Sequence, residues 1–355
     1  MLGKLLQGRY QVIQILSVGG FCQTYLAQDI FILGHPTCVV KHLLPINNYP
    51  DSLETLRQLF NKEAKALKKL GKYDRVPQLL AHFEENQNFY LVQEFIEGHT
   101  LSEELQPGHC WNEDQVIQLL QEILVILEFV HCHGLIHRDI KPTNLIRRQL
   151  DGRLVLIDFG SVKQAWTQAV TVPGKTRASF AFGIPATIAL GTPGYMPTEQ
   201  ERGRPRFNSD IYALGMIGIQ ALTGLSPKLL LEDVDTGELS WQHQATVSAL
   251  LASVLNKMVS YHFKDRYQSA IEVMQALQPL KRAKGAEVAE GDASPNKTAL
   301  LTGVATGVAS FLALIFVIYY ILQPPAPATK DQQYPASTKS ENTSIVKNFS
   351  SADFA

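Results

Sequence analysis

The strongest constraint on the fold is a change in hydrophobic patterning near residue 100 of this 355-residue chain. Before that point, short segments rich in β-branched and aromatic residues are typical of strands. Five strands are predicted, at Tyr10–Ser17, Thr24–Gln28, Thr37–Lys41, Leu79–Glu84 and Asn88–Gln93. One helix interrupts them, because the apolar residues of Leu53–Leu70 recur at helical spacing.

After residue 100, longer helical patterns dominate. Asn112 and Gln115 have the spacing of a capping box, which predicts that a long apolar helix begins there and runs to His131. Strands followed by helices predict an α+β fold of two lobes, one rich in β-strands and one helical. The predicted domain spans residues 9–278. The formal net charge of −1 provides no global field for nucleic acid, so no nucleic-acid partner is expected.

A 24-residue run without a charged side chain, Ala299–Leu322, follows this domain. It exceeds the ~20 residues that a helix needs to cross a bilayer. Tyr319 and Tyr320 suit the membrane interface, and Pro324 would stop the helix. We therefore predict a linker at 279–298, a transmembrane helix at 299–322 in contact with the lipid bilayer, and a disordered tail at 323–355. A buried core helix is the alternative.

The flanking charges predict the orientation of this span. Basic residues are more frequent before it (Lys281, Arg282, Lys284 and Lys297) than after it (Lys330 and Lys339). Positive charge favours the cytoplasmic side, so the large domain is predicted to be cytoplasmic and the short tail to lie outside. The small residues Gly303 and Gly307 have the spacing of a helix-pairing motif, which leaves dimerisation open.

The residues with catalytic potential lie between 137 and 160. An apolar strand leads to Asp158 and is followed by Gly160, which permits a sharp turn. Asn144 and Asp139 lie upstream, and oxygen atoms of an Asp and an Asn are suitable ligands for Mg²⁺. The sequence thus predicts a metal site at Asn144 and Asp158.

The stretch from His137 to Asn144 reads HRDIKPTN, and residues 158–160 read DFG. Together they resemble the catalytic loop and metal-binding motif of eukaryotic-type protein kinases. Lys141 resembles the Ser/Thr branch of that family. The resemblance extends over residues 9–278 and, with the predicted span, is closest to bacterial membrane-anchored, receptor-like Ser/Thr kinases. It implies a bilobal kinase-like fold in a bacterial plasma membrane protein.

Further positions match the family's pattern. Lys41 resembles the strand lysine that holds the α- and β-phosphates of ATP, with Glu63 as its ion-pair partner. Other matching residues are the gatekeeper Gln93, the hinge residues Glu94 and Phe95, and Ile146 beneath the nucleotide. Asp210 and Arg266 resemble the family's buried acid and arginine, and Arg266 is expected to pair with Glu199.

The resemblance implies the role of each catalytic residue. Asp139 would accept the proton of the substrate hydroxyl, and Lys141 would neutralise charge on the γ-phosphoryl group. Thr192 would hydrogen-bond to both. Implied cofactors are ATP and Mg²⁺, with Mn²⁺ as an alternative metal ion. Implied partners are proteins phosphorylated on Ser or Thr, and the chain itself through autophosphorylation.

The phosphate-binding loop departs from the family pattern. It comprises Leu16, Ser17, Val18, Gly19, Gly20 and Thr24. Ser17 and Cys22 stand where the family has its first and third glycines, and Thr24 replaces the valine that packs on adenine. Because Gly19 remains, backbone N–H groups are still expected to reach phosphate. The departure leaves the strength of ATP binding open.

Two other functions remain open from the sequence. A pseudokinase scaffold would explain the irregular loop but not the retention of Lys41, Asp139, Asn144 and Asp158. A small-molecule phosphotransferase of the same fold is disfavoured by Lys141 and by the segment 191–199, which resembles a peptide-binding surface. Arg138 beside the catalytic aspartate suggests control by phosphorylation of one of the hydroxyls between 158 and 199, at Thr167, Thr171, Thr176, Ser179 or Thr187.

Overall fold

The computed structural model describes residues 1–19, 22–43, 50–159 and 192–290. All of them belong to the first of the two units into which the chain divides, Met1–Asp292. The predicted transmembrane helix, the tail and most of the segment between Asp158 and Glu199 lie outside the described residues.

The N-terminal part is an antiparallel sheet of six strands in the order β1-β2-β3-β4-β6-β5. The strands are β1 (Leu5–Leu6), β2 (Tyr10–Val18), β3 (Cys22–Asp29), β4 (Thr37–Leu43), β5 (Leu79–Glu85) and β6 (Asn88–Glu94). One face of the sheet buries its own apolar cluster, which includes Tyr10, Tyr25, Val40 and Val92. Because side chains along a strand point alternately to the two faces, these apolar residues lie together on the covered face.

Helix α1 (Pro50–Leu70) joins this sheet to the rest of the molecule. Phe60, Ala64, Leu67 and Leu70 are buried at helical spacing, so they form one continuous face. That face belongs to the large core that also contains the C-terminal helices. As a result, α1 is held by both halves of the fold.

A small sheet follows the hinge between the halves. Its strands are β7 (Gly98–Thr100), β8 (Leu145–Arg148) and β9 (Leu154–Leu156), arranged in that order. The short helix α2 (Leu101–Glu104) comes directly after β7, and one 3₁₀ turn, Pro142–Asn144, leads into β8. Asp139 and Asn144 lie just before β8, and Asp158 lies just after β9. This sheet therefore fixes the positions of the segments that carry them.

The C-terminal part is helical. Its helices are α3 (Glu113–Cys132), α4 (Thr198–Glu201), α5 (Phe207–Thr223), α6 (Ala249–Met258) and α7 (Ala270–Glu290), with a hairpin of β10 (Leu231–Glu232) and β11 (Leu239–Ser240) between α5 and α6. Asn112 and Gln115 form the predicted capping box at the start of α3. Among the described helices, α3 is the one long and apolar enough to cross a membrane. Its apolar side chains are buried in the core, so it is a core helix here.

The predicted elements agree with these bounds to within a few residues, and the α+β division into a strand-rich and a helical lobe is confirmed. One difference lies at the end of the domain. Composition assigned 279–298 to a linker, but α7 continues through Pro279 to Glu290. Leu277 and Leu280 on either side of the proline are both buried in the core. Their packing offsets the backbone hydrogen bond that a proline removes.

Candidate active site

The hairpin of β8 and β9 brings the two candidate metal-binding residues together. Asn144 directly precedes β8, and Leu145 pairs with Leu156 at the end of β9. The backbone N–H of Ile157 donates to the carbonyl oxygen of Asn144 at 2.9 Å. Asp158 then adopts a φ of 63°, a conformation that non-glycine residues rarely adopt and that clusters at functional sites.

Asp139 lies at the centre of a hydrogen-bonded group. Lys141 Nζ lies 2.9 Å from Asp139 Oδ2 and 2.8 Å from Thr192 Oγ1. The Thr192 hydroxyl lies 3.2 Å from Asp139 Oδ1, and Asn144 Nδ2 donates to the backbone oxygen and to Oδ2 of Asp139 at 2.8 and 3.1 Å. These four residues span 53 positions of the sequence and thus lie together in one site.

Asp210, at the start of α5, holds the loop before Asp139. Its carboxylate accepts the backbone N–H groups of His137 at 2.9 Å and of Arg138 at 2.8 Å, and it contacts His131 Nε2 at 2.8 Å. Burial would raise the pKa of Asp210, but the hydrogen bond and charge of His131, with the neighbouring His137 and the Arg138 N–H, outweigh burial and lower it. Arg138 has a φ of 71°, so two strained backbones, at 138 and 158, flank the site.

Lys41, on β4, forms a direct ion pair with Asp158, with 2.7 Å between Nζ and Oδ1. Glu63 on α1 is buried, and its charge also acts on Lys41. Burial would lower the pKa of Lys41, but the charges of Asp158 and Glu63 and the hydrogen bond to Asp158 raise it above its ordinary value. Lys41 is therefore held as a cation at the junction of the two lobes.

The residues present fit a magnesium ion. Because Asn144 uses its Nδ2 on Asp139, its amide oxygen is left to act as a hard ligand. Asp158, which follows Ile157 and its backbone hydrogen bond to Asn144, offers a carboxylate. Mg²⁺ takes one or two protein ligands of this kind together with water and phosphate oxygens. Within the described ranges no group of three His, Cys, Asp or Glu side chains is placed to hold a metal.

The predicted phosphate loop is the turn between β2 and β3. Ser17 pairs with Thr24 and Val18 with Gln23, while Thr24 pairs on its other side with Lys41. Gly19 donates its N–H to the carbonyl oxygen of Cys22 at 2.9 Å. A Cβ at Gly19 would lie 3.1 Å from that oxygen, so the close turn favours glycine. Leu16 is half-exposed on β2, and Gly20 lies outside the described residues.

The remaining predicted nucleotide contacts lie along the hinge. Gln93 is buried on β6, Glu94 pairs its backbone with Cys38, and Phe95 is partly exposed just after the strand. The backbone N–H of Glu94 donates to the carbonyl oxygen of Gln78 at 2.9 Å, which ties the hinge to β5. Ile146 lies on β8 opposite Val155. Sheet pairing thus places these residues on the strands that border the gap between the lobes.

The segment from Thr192 to Gln200 is anchored below Asp139. Tyr195 donates its hydroxyl to the Gln220 side-chain oxygen, and Gln200 Nε2 donates to the backbone oxygen of Arg138 at 2.6 Å. The predicted pair of Glu199 and Arg266 is confirmed, with 2.6 Å between Oε1 and Nη1 and both side chains buried. This anchoring keeps Thr192 beside Asp139.

Comparison with known proteins identifies the family in which this arrangement of residues occurs. The sequence profile of the protein kinase domain matches residues 10–282, from the start of β2 into α7. This chain belongs to the protein kinase family. Protein kinases use ATP, typically with Mg²⁺, so the residues around Asp139 and Lys41 form the candidate active site of a kinase.

Several curated bacterial proteins resemble this kinase. Serine/threonine-protein kinase C of Synechocystis is 44% identical over 277 residues, covering 78% of this chain and 50% of that protein. Serine/threonine-protein kinase PknA of Nostoc is 41% identical over 277 residues, with coverages of 78% and 48%. This chain therefore spans about half the length of the curated relatives it matches.

Solved structures show the same fold. The kinase domain of Mycobacterium tuberculosis PknI superposes with a TM-score of 0.57 at 20% identity, covering 79% of this chain and 98% of the solved one. The structure described as the PpkA-294 apo form gives a TM-score of 0.59 at 22% identity, with coverages of 78% and 99%. The kinase fold, with a strand-rich N-lobe and a helical C-lobe, is thus shown for this chain.

Sequence reasoning missed some residues that organise this site. It did not identify His131, which contacts Asp210, or His133, whose ring packs on Phe129. It also missed Gln200, which holds the loop through a backbone oxygen. A buried acid such as Asp210 needs donors. This need for hydrogen-bond donors was the signal from which a histidine partner of Asp210 could have been predicted.

Proposed function

We propose that this chain is a serine/threonine protein kinase that transfers the γ-phosphate of ATP to hydroxyl groups of proteins. The observation that carries the proposal is the contact of Lys141 Nζ with both Asp139 and Thr192, at 2.9 and 2.8 Å. A carboxylate able to accept a hydroxyl proton and a cation able to meet a phosphoryl group are thereby adjacent. The names of the bacterial relatives support the same activity.

The proposed mechanism assigns each side chain a role. Asp139 accepts the proton of the attacking hydroxyl, while Lys141 neutralises charge that develops on the γ-phosphoryl oxygens. Lys41 contacts the α- and β-phosphates, and its pair with Asp158 and the nearby charge of Glu63 orient it. Asn144 and Asp158 would hold Mg²⁺, or Mn²⁺ in its place, and the bound ion would screen the phosphate charges.

We place ATP between the lobes. The turn at Ser17–Gly19 lies over its phosphates, and Gly20 is the next residue in the sequence. Leu16, Thr24 and Ile146 contact the base and sugar, and Gln93, Glu94 and Phe95 form the hinge against adenine. Because backbone N–H groups bind phosphate whatever their side chains are, a glycine-poor loop changes ATP affinity more than it changes the chemistry.

The domain organisation extends this proposal. Residues 9–278 form the catalytic domain, 279–298 the juxtamembrane segment, 299–322 the membrane span and 323–355 an extracytoplasmic tail. The length of the uncharged run and the surplus of Lys and Arg before it support a single-pass protein with a cytoplasmic kinase domain. The bacterial relatives support a bacterial plasma membrane.

Autophosphorylation belongs to the same proposal. Arg138 is partly buried beside Asp139, and among the described residues its Nε has no hydrogen-bond partner. A phosphate on one of the hydroxyls between 158 and 199 would supply acceptor oxygens for that guanidinium. Pairing of two chains through Gly303 and Gly307 would bring one kinase domain close to the other.

The test is transfer of labelled phosphate to myelin basic protein by the full chain in nonionic detergent with Mg-ATP. Wild type is expected to label Ser and Thr, and Asp139→Asn is expected to lose nearly all transfer. Equal labelling by both proteins would exclude the enzyme assignment, and ATP binding without transfer in wild type would favour a pseudokinase. Transfer to sugars or antibiotics but not to protein would favour a small-molecule phosphotransferase.

A further inference from the structure

The hairpin between α5 and α6 exposes an unusual amount of apolar surface. Leu229 is 63% exposed, Leu231 64% and Val234 99%. Single exposed apolar side chains are common on protein surfaces. Three within six residues, on a short ordered element, form a patch of the kind that marks interaction sites.

This hairpin is firmly built. Leu231 pairs with Ser240 and Glu232 with Leu239, which packs on the core. Because neighbouring strand residues point to opposite faces, Leu231 lies on the face away from Leu239. The exposure of Leu231 is therefore a consequence of the register.

The turn and the end of the hairpin are also fixed. Asp233 accepts the backbone N–H and the hydroxyl of Thr236, each at 2.8 Å. Gly237 has a φ of 71° and packs so closely on Tyr261 that an added Cβ would lie 2.9 Å from the ring. Trp241 is fully buried and donates its Nε1–H to Asn256 at 2.8 Å. The apolar side chains are thus presented by a rigid scaffold.

The hairpin carries mostly acidic side chains. Glu232, Asp233, Asp235 and Glu238 are exposed acids, and the basic residue nearest to them in the sequence is Lys228, just before Leu229. Burial raises the pKa of Tyr212 on α5 to about 12, and the charge of Glu232 adds to this effect against that of Arg266.

The hairpin is connected to the segment beside the catalytic residues. Pro227, just before the hairpin, lies so close to Gly194 that an added Cβ there would be 2.8 Å from the proline ring. Gly194 is two residues from Thr192, which contacts Asp139. The segment that holds Thr192 beside Asp139 is therefore in contact with the residues that lead into the hairpin.

We propose that the β10–β11 hairpin is a docking surface for protein substrates, and that it binds a segment in which Lys or Arg alternates with large apolar residues. Opposite charge attracts such a segment to the exposed acids around the turn, among them Asp235, and burial of Val234 and Leu231 holds it. The inference rests on the proposed kinase function. The docking segment lies outside the phosphorylated sequence, so it lowers KM without changing kcat.

The test uses the full chain in nonionic detergent and three synthetic peptides. Each peptide has the same Thr-containing acceptor and Gly/Ser spacer, followed by a tail of alternating Arg and Leu, of Glu and Leu, or of Gly and Ser. Phosphorylation gives kcat and KM for each peptide, and fluorescence anisotropy without ATP gives the affinity for each tail. The Arg/Leu tail is expected to lower KM about tenfold relative to the Gly/Ser tail.

Two hairpin variants should abolish that advantage. They are Leu231→Ser with Val234→Ser, and Glu232→Lys with Asp235→Lys, and both should leave kcat and the KM of the Gly/Ser peptide unchanged. The matched control is Phe31→Ser with Leu33→Ser, which removes equally exposed apolar side chains (71% and 100%) from the turn between β3 and β4. This control should keep the full advantage of the Arg/Leu tail.

The outcomes separate docking from catalysis. Loss of all phosphate transfer with tail binding intact would overturn the kinase function but not the surface. Turnover with the same KM for all three tails, or an Arg/Leu advantage that survives both hairpin variants, would overturn the docking proposal. Self-association that only the hairpin variants abolish, without a tail effect, would assign the surface to a second copy of the chain and would also overturn it.

Discussion

Lys41 Nζ lies 2.7 Å from Asp158 Oδ1, so a strand of the N-lobe and a residue of the C-lobe are joined by an ion pair. Both side chains are largely shielded from water. The contact links the residue proposed to hold ATP phosphates with the residue proposed to hold the metal ion.

Replacing Lys41 by Met removes the only charge that β4 contributes to this junction. We expect kcat to fall about 10²-fold or more, because a fixed cation near the phosphates would be lost. Lys65→Met, on the exposed side of α1, is the matched control and should leave kcat unchanged. Steady-state kinetics at saturating Mg-ATP measures both variants. Full activity of Lys41→Met would contradict the assigned role.

The fully buried His137 makes stability depend on pH. Its burial lowers its pKa, although Asp210 and Asp139 oppose the shift. In the unfolded chain the pKa of histidine is about 6.5. The stabilising contribution of neutral His137 is therefore complete above that pH and is lost as the pH falls through the lower folded pKa.

We expect the free energy of unfolding to fall between about pH 7 and pH 5. His137→Gln should reduce this slope. It should not remove it, because burial also lowers the pKa of His42. Gln118→Ala, at an exposed position of α3 without a titratable side chain, is the control and should keep the wild-type slope. Denaturant titrations across this pH range give the result, and identical slopes for wild type and His137→Gln would exclude this explanation.

Arg266 and Glu199 form a pair that is almost fully shielded, with side-chain exposures of 0% and 8%. Removing one member leaves a buried charge without its partner. Arg266→Met is expected to lower the free energy of unfolding by about 3–5 kcal/mol. The comparison is Arg57→Met, which breaks solvent-exposed pairs with Glu54 and Glu84 and should change stability little. Similar losses for the two variants would contradict the assigned role of burial.

Gly194 combines a left-handed backbone with a close neighbour. Its φ is 96°, and a Cβ would lie 2.8 Å from the side chain of Pro227. Gly34 has a similar φ of 87° with no atom within 4 Å of such a Cβ. Gly34→Ala is expected to cost only the backbone strain, about 1–2 kcal/mol.

Gly194→Ala should cost more and should also slow phosphate transfer, because relief of the contact with Pro227 displaces the segment that holds Thr192. Thermal unfolding and transfer to myelin basic protein measure the two effects. Equal stability and activity of the two alanine variants would mean that the contact has no influence on the site.

Much of the fold could be predicted from the sequence because local patterns decide it. Alternating apolar residues identify the strands of the N-lobe, and Asn112 with Gln115 marks the start of α3. The end of α7 was not predictable in the same way. Pro279 and the polar residues after it indicate a break, but the buried Leu280 continues the helix across the proline.

The sequence predicted which residues belong to the site better than it predicted which of them are in contact. The resemblance of HRDIKPTN and DFG to the kinase motifs identified Asp139, Asn144 and Asp158. Lys41 also pairs with Asp158, at a separation of 117 residues, and no periodic pattern encodes contacts across the two lobes. The role of His131 was hidden for the same reason, because its partner Asp210 is 79 residues away.

Mass spectrometry of the full chain after incubation with Mg-ATP tests the central claim most directly. If Asp139 and Lys141 form a working phosphotransfer site, wild type gains phosphate on Ser or Thr residues, and Asp139→Asn incubated alone gains none. Phosphate at equal levels in both proteins would contradict the account, since the modification would then not depend on the carboxylate at the centre of the site.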